Sequence, residues 1–175
     1  MSRPMTRRGF AIRITGFGSA VGLVAMRCAA HASDEISHTA ESIHQEVLVK
    51  ASSRRIYEVL TDSTQFTKMT RFSPVMNAAP ARIGRTVGES FTLFGGHIVG
   101  QQIELVPFRR IVQAWRVVDW DSGVYSIAKF DLMEQGPQTT IVFDHTGFPN
   151  GKADHLAEGW HLNYWRPLEK YLERR

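Results

Sequence analysis

Cysteine is almost absent from this 175-residue chain, which holds only Cys28. No intrachain disulfide can form, and nothing after residue 28 can act as a thiolate nucleophile or a cysteine metal ligand. Acidic residues are missing from the first 32 positions, which carry Arg3, Arg7, Arg8, Arg13 and Arg27. Long apolar runs are missing as well. The mildly apolar stretch Ile14 to Met26 falls short of the ~20 residues that a membrane-spanning helix needs and has the length of a signal h-region. The chain has no internal repeat and no low-complexity tract.

What the N-terminus does have is an ordered set of export features. Arg7-Arg8 stand inside Thr6-Arg7-Arg8-Gly9-Phe10-Ala11, the apolar stretch follows, and Ala30-His31-Ala32 put small residues before Ser33. The paired arginines followed by Phe10 resemble the twin-arginine (Tat) export signal, which a receptor reads to pass folded proteins across the bacterial inner membrane. The resemblance implies a signal peptide over residues 1–32, with Arg7 and Arg8 recognised by the Tat translocase and cleavage after Ala32. The product is then periplasmic or secreted, with no stable membrane insertion after cleavage. The alternative is a leader retained as an N-terminal membrane anchor. Arg27 before Cys28 argues against lipid attachment, which favours a small residue there.

Removing the leader changes the charge reading. The chain has 21 Lys+Arg against 17 Asp+Glu, and five of the arginines lie in residues 1–32, which leaves 16 against 17. No basic excess remains to favour nucleic acid. The 143 residues after position 32 suffice for one domain with a substantial core. Residues 33–42 (SDEISHTAES) read as a flexible lead-in, and the domain is expected over residues 43–175.

Ile43 to Lys50 alternates as a strand. Ala51-Ser52-Ser53 supplies a cap for a helix carrying Ile56, Tyr57, Val59 and Leu60, and Thr61-Asp62-Ser63 caps a second through Phe66 and Met69, ending before Pro74. After Gly84 the period becomes two. Ser90–Phe94, His97–Val106, Arg110–Val118, Val124–Met133 and Thr139–Thr146 form an expected antiparallel meander. Ala128, Phe130 and Leu132 share one face, as do Ile141, Phe143 and His145. Residues 153–174 form one amphipathic helix, with a kink or break expected near Asn163 to Pro167 because proline forfeits a backbone hydrogen bond.

This order, α+β with about six antiparallel strands, two short helices after the first strand and a long C-terminal helix, resembles the helix-grip fold of the START-like (SRPBCC) superfamily. More narrowly it is similar to the AHSA-type family, homologues of the activator of the ninety-kilodalton heat-shock chaperone's ATPase. The resemblance is carried by Ala51-Ser52 with residues 56–62, Gly95-Gly96, Arg110 to Trp115, His145-Thr146-Gly147-Phe148-Pro149, Gly159-Trp160 and Tyr164-Trp165-Arg166-Pro167-Leu168. Ser53-Arg54-Arg55 and Met69 depart from the family's usual residues at the starts and ends of the two short helices.

In this superfamily function resides between the curved sheet and the C-terminal helix, so the resemblance implies a cavity for a small hydrophobic or amphiphilic ligand. The residues expected to face it are Phe91, Trp115, Ala128, Phe130, Phe143, His145, Trp160 and Tyr164. The leading reading is a noncatalytic binder that needs no cofactor. The alternative is an enzyme of the same fold, a cyclase, dehydratase or hydrolase, using His145 as acid or base with a cavity Tyr or acid. A third reading is a chaperone-type protein-interaction module.

Three other features suggest sites and are set aside. His155, Glu158 and His161 lack the spacing of a helical metal site, since the two histidines stand roughly 240° apart, and read as a solvated face. Gly16, Gly18 and Gly22 mimic a dinucleotide fingerprint but follow no strand. Trp120, between Asp119 and Asp121 in a hairpin turn, is expected to be partly buried.

Overall fold

The structure, a computed structural model, describes residues 40–76 and 79–174. The leader of residues 1–32, with Arg7, Arg8, Ala30 and Ala32, lies outside the described residues, as does most of the lead-in.

The first strand, β1 (Ala40–Val49), begins three residues before the expected start and takes in the end of the lead-in. Helices α1 (Ser53–Thr61) and α2 (Ser63–Met69) follow at the two predicted caps. Ser52 Oγ accepts the Arg55 N–H at 3.3 Å, and Asp62 Oδ1 accepts from Thr64 and Gln65 at 3.1 and 2.9 Å. Each cap satisfies donors that the first helical turn leaves unpaired. A single 3-10 turn, Thr70–Phe72, ends the helical pair.

Six further strands complete the sheet: β2 (Arg82–Ile83), β3 (Ser90–Leu93), β4 (Ile98–Val106), β5 (Arg110–Val117), β6 (Ser126–Gln135) and β7 (Gln138–Pro149). The curved antiparallel sheet has the order β1-β7-β6-β5-β4-β3-β2, which adds one short strand at the edge to the expected six. β1 and β7 pair Glu41 with Phe148 and Ser42 with Thr146, so Gly147 is an extra residue in β7. Its φ of 80° suits glycine, and the bulge shifts the alternation so that Phe148 is buried.

The C-terminal helix has three parts: α3 (Ala153–Trp160), a π-helical segment His161–Trp165, and α4 (Arg166–Leu172). The predicted break takes the form of this π segment. Pro167 has no N–H to offer the carbonyl four residues back, and the Arg166 N–H reaches His161 five residues back. Gln45 braces the widened turn: its Nε2 donates to the Ala157 carbonyl at 3.1 Å, and its Oε1 accepts the Trp165 indole N–H at 2.7 Å.

The concave face of the sheet carries Ile111, Trp115, Ala128, Phe130, Ile141, Phe143 and His145, all buried against the helix. Burying each of the larger apolar side chains contributes about 1.5–3 kcal/mol. The convex face is exposed and mixes apolar side chains, Leu48, Ile127 and Met133, with charged ones. Neighbouring strands hold a chain of alternating charge across it, from His44 to Asp144, Lys129, Asp131, Arg110 and Glu104. Asp144 therefore points away from His145, as strand alternation requires.

Candidate ligand-binding cavity

The centre of the concave face is filled. Trp160 and Trp165 lie nearly parallel with ring centroids 5.8 Å apart, and Trp160 packs on Phe143 at 4.3 Å and on Phe130 at 5.7 Å. Phe91 lies over Gly100 of the neighbouring strand, and Ala128 is sealed between Gln113 and His145 in register. Phe91, Ala128, Phe130 and Phe143, expected to face a ligand, are core residues that do not line the cavity described below. The reason is the helix, whose two indoles occupy the middle of the concavity.

Open space survives at one end. A cavity of about 580 Å³ lies between the start of β4, the end of β5, the β5–β6 connection, the Val75-Met76 segment and the first turns of the C-terminal helix. Its floor is Phe94, Ile98, Trp115, Trp160 and Tyr164, all buried. Trp120 forms a half-buried side wall, edge-on to Trp115 at 5.7 Å. Of the eight expected residues, Trp115, Trp160 and Tyr164 line the cavity. The rim is charged, with Asp119, Asp121 and Glu158 facing Lys152 and His155.

Several local departures from regular structure create this space. Gly159 sits inside α3, where glycine costs about 0.5–1 kcal/mol relative to alanine, and an added Cβ would meet nothing within 4 Å. Phe94 adopts a left-handed backbone at φ 53°, which costs a non-glycine residue on the order of 1–3 kcal/mol. That turn sets its ring against Tyr164 at 5.3 Å. The π segment supplies Leu162, Asn163 and Tyr164 to the wall. Ser73 ties the entrance to the helix: its hydroxyl donates to Asn163 Oδ1 at 2.6 Å and accepts from the Val75 and Met76 amides at 3.3 and 2.8 Å.

His145 lies behind this wall and does not line it. Its Nδ1 accepts the Trp160 indole N–H at 3.0 Å, so its proton sits on Nε2 and is donated to Ser126 Oγ at 2.7 Å. Ser126 in turn donates to the Trp115 carbonyl at 2.8 Å. Burial pushes the imidazole down to about 3. The expected ligand-facing or acid/base histidine is a neutral, fully hydrogen-bonded core residue. It fixes the orientation of the Trp160 ring that lines the cavity.

Two polar groups on the floor are left over. Among the described residues neither Trp115 Nε1 nor the Tyr164 hydroxyl has a hydrogen-bond partner of adequate geometry. Burial pushes the Tyr164 hydroxyl above the usual phenol range, with the nearby Trp115 indole N–H pulling weakly the other way. Among the described residues no group of three or more His, Cys, Asp or Glu is placed to hold a metal. His155, Glu158 and His161 are all exposed, and His161 Nε2 is 3.1 Å from Arg166 Nε.

The wall also contains residues not expected from the sequence. Phe94 precedes Gly95-Gly96, a pair that signals a turn but gives no direction for the ring before it. Asn163 and Leu162 fall where the expected break removes a helical phase. Trp120 carried a signal, as an aromatic in a hairpin turn.

The sequence model for the family described as Activator of Hsp90 ATPase homolog 1-like protein matches residues 50–173. Activator of 90 kDa heat shock protein ATPase homolog 2 of Mus musculus is 24% identical over 132 residues, covering 75% of this chain and 38% of that protein. The Hsp90 co-chaperone AHA1 of Saccharomyces cerevisiae is 24% identical over 135 residues, covering 76% of this chain and 38% of that protein. The chain thus spans well under half the length of these curated relatives. An HSP90 activator from Plasmodium falciparum has a similar structure, with a TM-score of 0.67 at 23% identity over 77% of this chain and 96% of that one. CalU16 from Micromonospora echinospora has a TM-score of 0.59 at 18% identity over 77% of this chain and 75% of that one. With a match over most of its length and a helix-grip sheet and helix to go with it, the chain belongs to the family of Activator of Hsp90 ATPase homolog 1-like proteins.

Proposed function

We propose that this domain binds a small hydrophobic or amphiphilic molecule in the cavity beside Trp115, Trp160 and Tyr164, without transforming it. The observation that carries the reading is the space itself. A volume of about 580 Å³ falls within the ~300–1,000 Å³ typical of small-molecule sites. Gly159 leaves part of it unfilled, at a cost to helix stability and with no side chain to pack into the space. An apolar body would rest on the aromatic floor while a polar end meets Asp119, Asp121, Glu158 and Lys152 at the rim. An enzyme built on His145 gains no support, because both ring nitrogens are engaged and the ring is screened from the cavity. Native mass spectrometry of protein purified from its own host, followed by solvent extraction, tests the proposal. A copurifying organic guest is expected, and protein that carries none and takes up no apolar probe refutes it.

The same reading includes export of the folded domain through the twin-arginine route, with cleavage after Ala32. Sequencing the N-terminus of the protein from each cell compartment checks this, and a chain beginning at Met1 in the cytosol overturns it. The family relation favours a second reading, a protein-interaction module acting on a chaperone. That reading predicts stimulation of the host's ninety-kilodalton chaperone ATPase by this domain, undiminished when the cavity is blocked.

A further inference from the structure

The charges around the cavity mouth do not balance. Asp119 and Asp121 reach it from the β5–β6 connection and Glu158 from α3, whereas Lys152 is the only lysine or arginine that lines it among the described residues. His97 and His155 complete the ionisable set. The convex face is different: its carboxylates Glu104, Asp131 and Asp144 each sit beside Arg110, Lys129 or His44. Asp119, Asp121 and Glu158 have no ion-pair partner among the described residues. Two nearby positive groups are already engaged. The Lys152 and Ala153 amides at the start of α3 donate to Glu41 Oε2 at 2.9 and 2.8 Å, so the positive end of that helix holds a carboxylate. Arg116 lies on the opposite face of β5 from Trp115, over the Tyr125 ring, and donates to the Val118 and Trp120 carbonyls. Between the two aspartates stands Trp120, the half-buried wall whose ring meets Trp115 edge-on at 5.7 Å. Indole is the best aromatic seat for a cation, and a cleft lined by one sign of charge concentrates ions of the other. Among the described residues the acids form no metal-holding group, so the cation that suits them is an organic one whose apolar body continues into the cavity.

Resting on the binding reading above, we infer that the guest is an amphiphilic cation: an apolar ring system on the aromatic floor, with a protonated amine or quaternary ammonium left at the mouth beside Trp120, Asp119, Asp121 and Glu158. The ammonium supplies the positive charge that the lining lacks. A carboxylate or phosphate in its place meets three like charges, so the same acids that hold the cation exclude anionic amphiphiles. These three acids determine specificity and carry out no chemistry.

The test titrates three probes calorimetrically into the full domain: naphthylmethyl-trimethylammonium, its uncharged carbon counterpart neopentylnaphthalene, and naphthylacetate, all substituted at the same ring carbon. The cation is expected to bind about ten-fold tighter than the neutral probe, and the anion weakest. Raising the ionic strength from ~0.01 to ~1 M shortens the screening length from ~30 to ~3 Å and should narrow the gap. The triple variant Asp119→Asn, Asp121→Asn, Glu158→Gln should lose the preference for the cation and keep its affinity for the neutral probe. All three side chains are exposed, and thermal melts verify that the fold is retained. Gly159→Phe, with the cavity filled, should lose the cation as well. Equal binding of cation and neutral probe, or tightest binding of the anion, overturns the charge selection while leaving the cavity a binding site. Cation binding that survives in Gly159→Phe places it on surface acids outside the cavity and also overturns the inference. Binding of none of the probes overturns it and counts against the binding reading beneath it.

Discussion

Trp160 donates its indole N–H to Nδ1 of His145 at 3.0 Å, so a histidine that never meets the cavity sets the pose of a ring that does. The bond also fixes the tautomer, and the chain through Ser126 to the Trp115 carbonyl links two walls of the cavity through one buried imidazole.

This arrangement predicts a pH dependence. The folded His145 has its pKa pushed to about 3, below the ~6.5 of an unfolded histidine, so protons bind the unfolded chain preferentially between these values. Its contribution to stability is fully present above pH ~6.5 and is lost as pH falls toward about 3. Imidazole NMR should show no His145 titration between pH 8 and pH 5; a midpoint near neutrality contradicts the assignment.

His44 behaves with the opposite sign. Hydrogen bonding to Asp144 raises its pKa, so its contribution is complete below pH ~6.5 and disappears as pH rises through the raised value. The pair is exposed and salt-screened, hence small. Urea midpoints of His44→Ala and wild type are expected to differ more at pH 6 than at pH 9, and more in low salt than in high.

Gly100 tests the packing of the sheet. A Cβ there would collide with the Ala114 carbonyl oxygen and the edge of the Phe91 ring, and the backbone oxygen cannot move aside without disturbing the β4–β5 ladder. Gly100→Ala should cost about 1–3 kcal/mol in urea denaturation. A neutral result would mean that Phe91 does not cover this glycine.

Gly159 separates stability from binding. Gly159→Ala has room for its methyl group and should stabilise α3 by about 0.5–1 kcal/mol, read as a higher Tm. Gly159→Phe projects a ring into the cavity and should abolish uptake of apolar probes while the domain still folds cooperatively. Undiminished uptake by that variant would place the guest elsewhere.

Strand alternation was readable because one face of the sheet meets the core and the other meets water, which is why Ala128, Phe130, Phe143 and His145 fell on the correct face. Alternation cannot say which part of that face the helix covers. That depends on where Trp160 and Trp165 land, a tertiary fact, and it is why five of the eight expected cavity residues proved to be core. The two-residue β2 is too short to show a period, and β6 starts at Ser126 rather than Val124 because the preceding turn runs further. Pro167 announced a disturbance in the last helix, but the choice of a π segment over a bend follows from how Gln45 and the indoles brace it.

The Ser73 hydroxyl holds two backbone amides of the entrance and one side chain of the helix at once. Under the binding proposal, a molecule entering past Val75 and Met76 would strain this knot, whereas one already inside would rest on rings the knot does not touch. Traffic and tenancy would thus be governed by separate parts of the protein: exchange rates would answer to a single serine, and preference among guests to the aromatic floor and the acids of the rim.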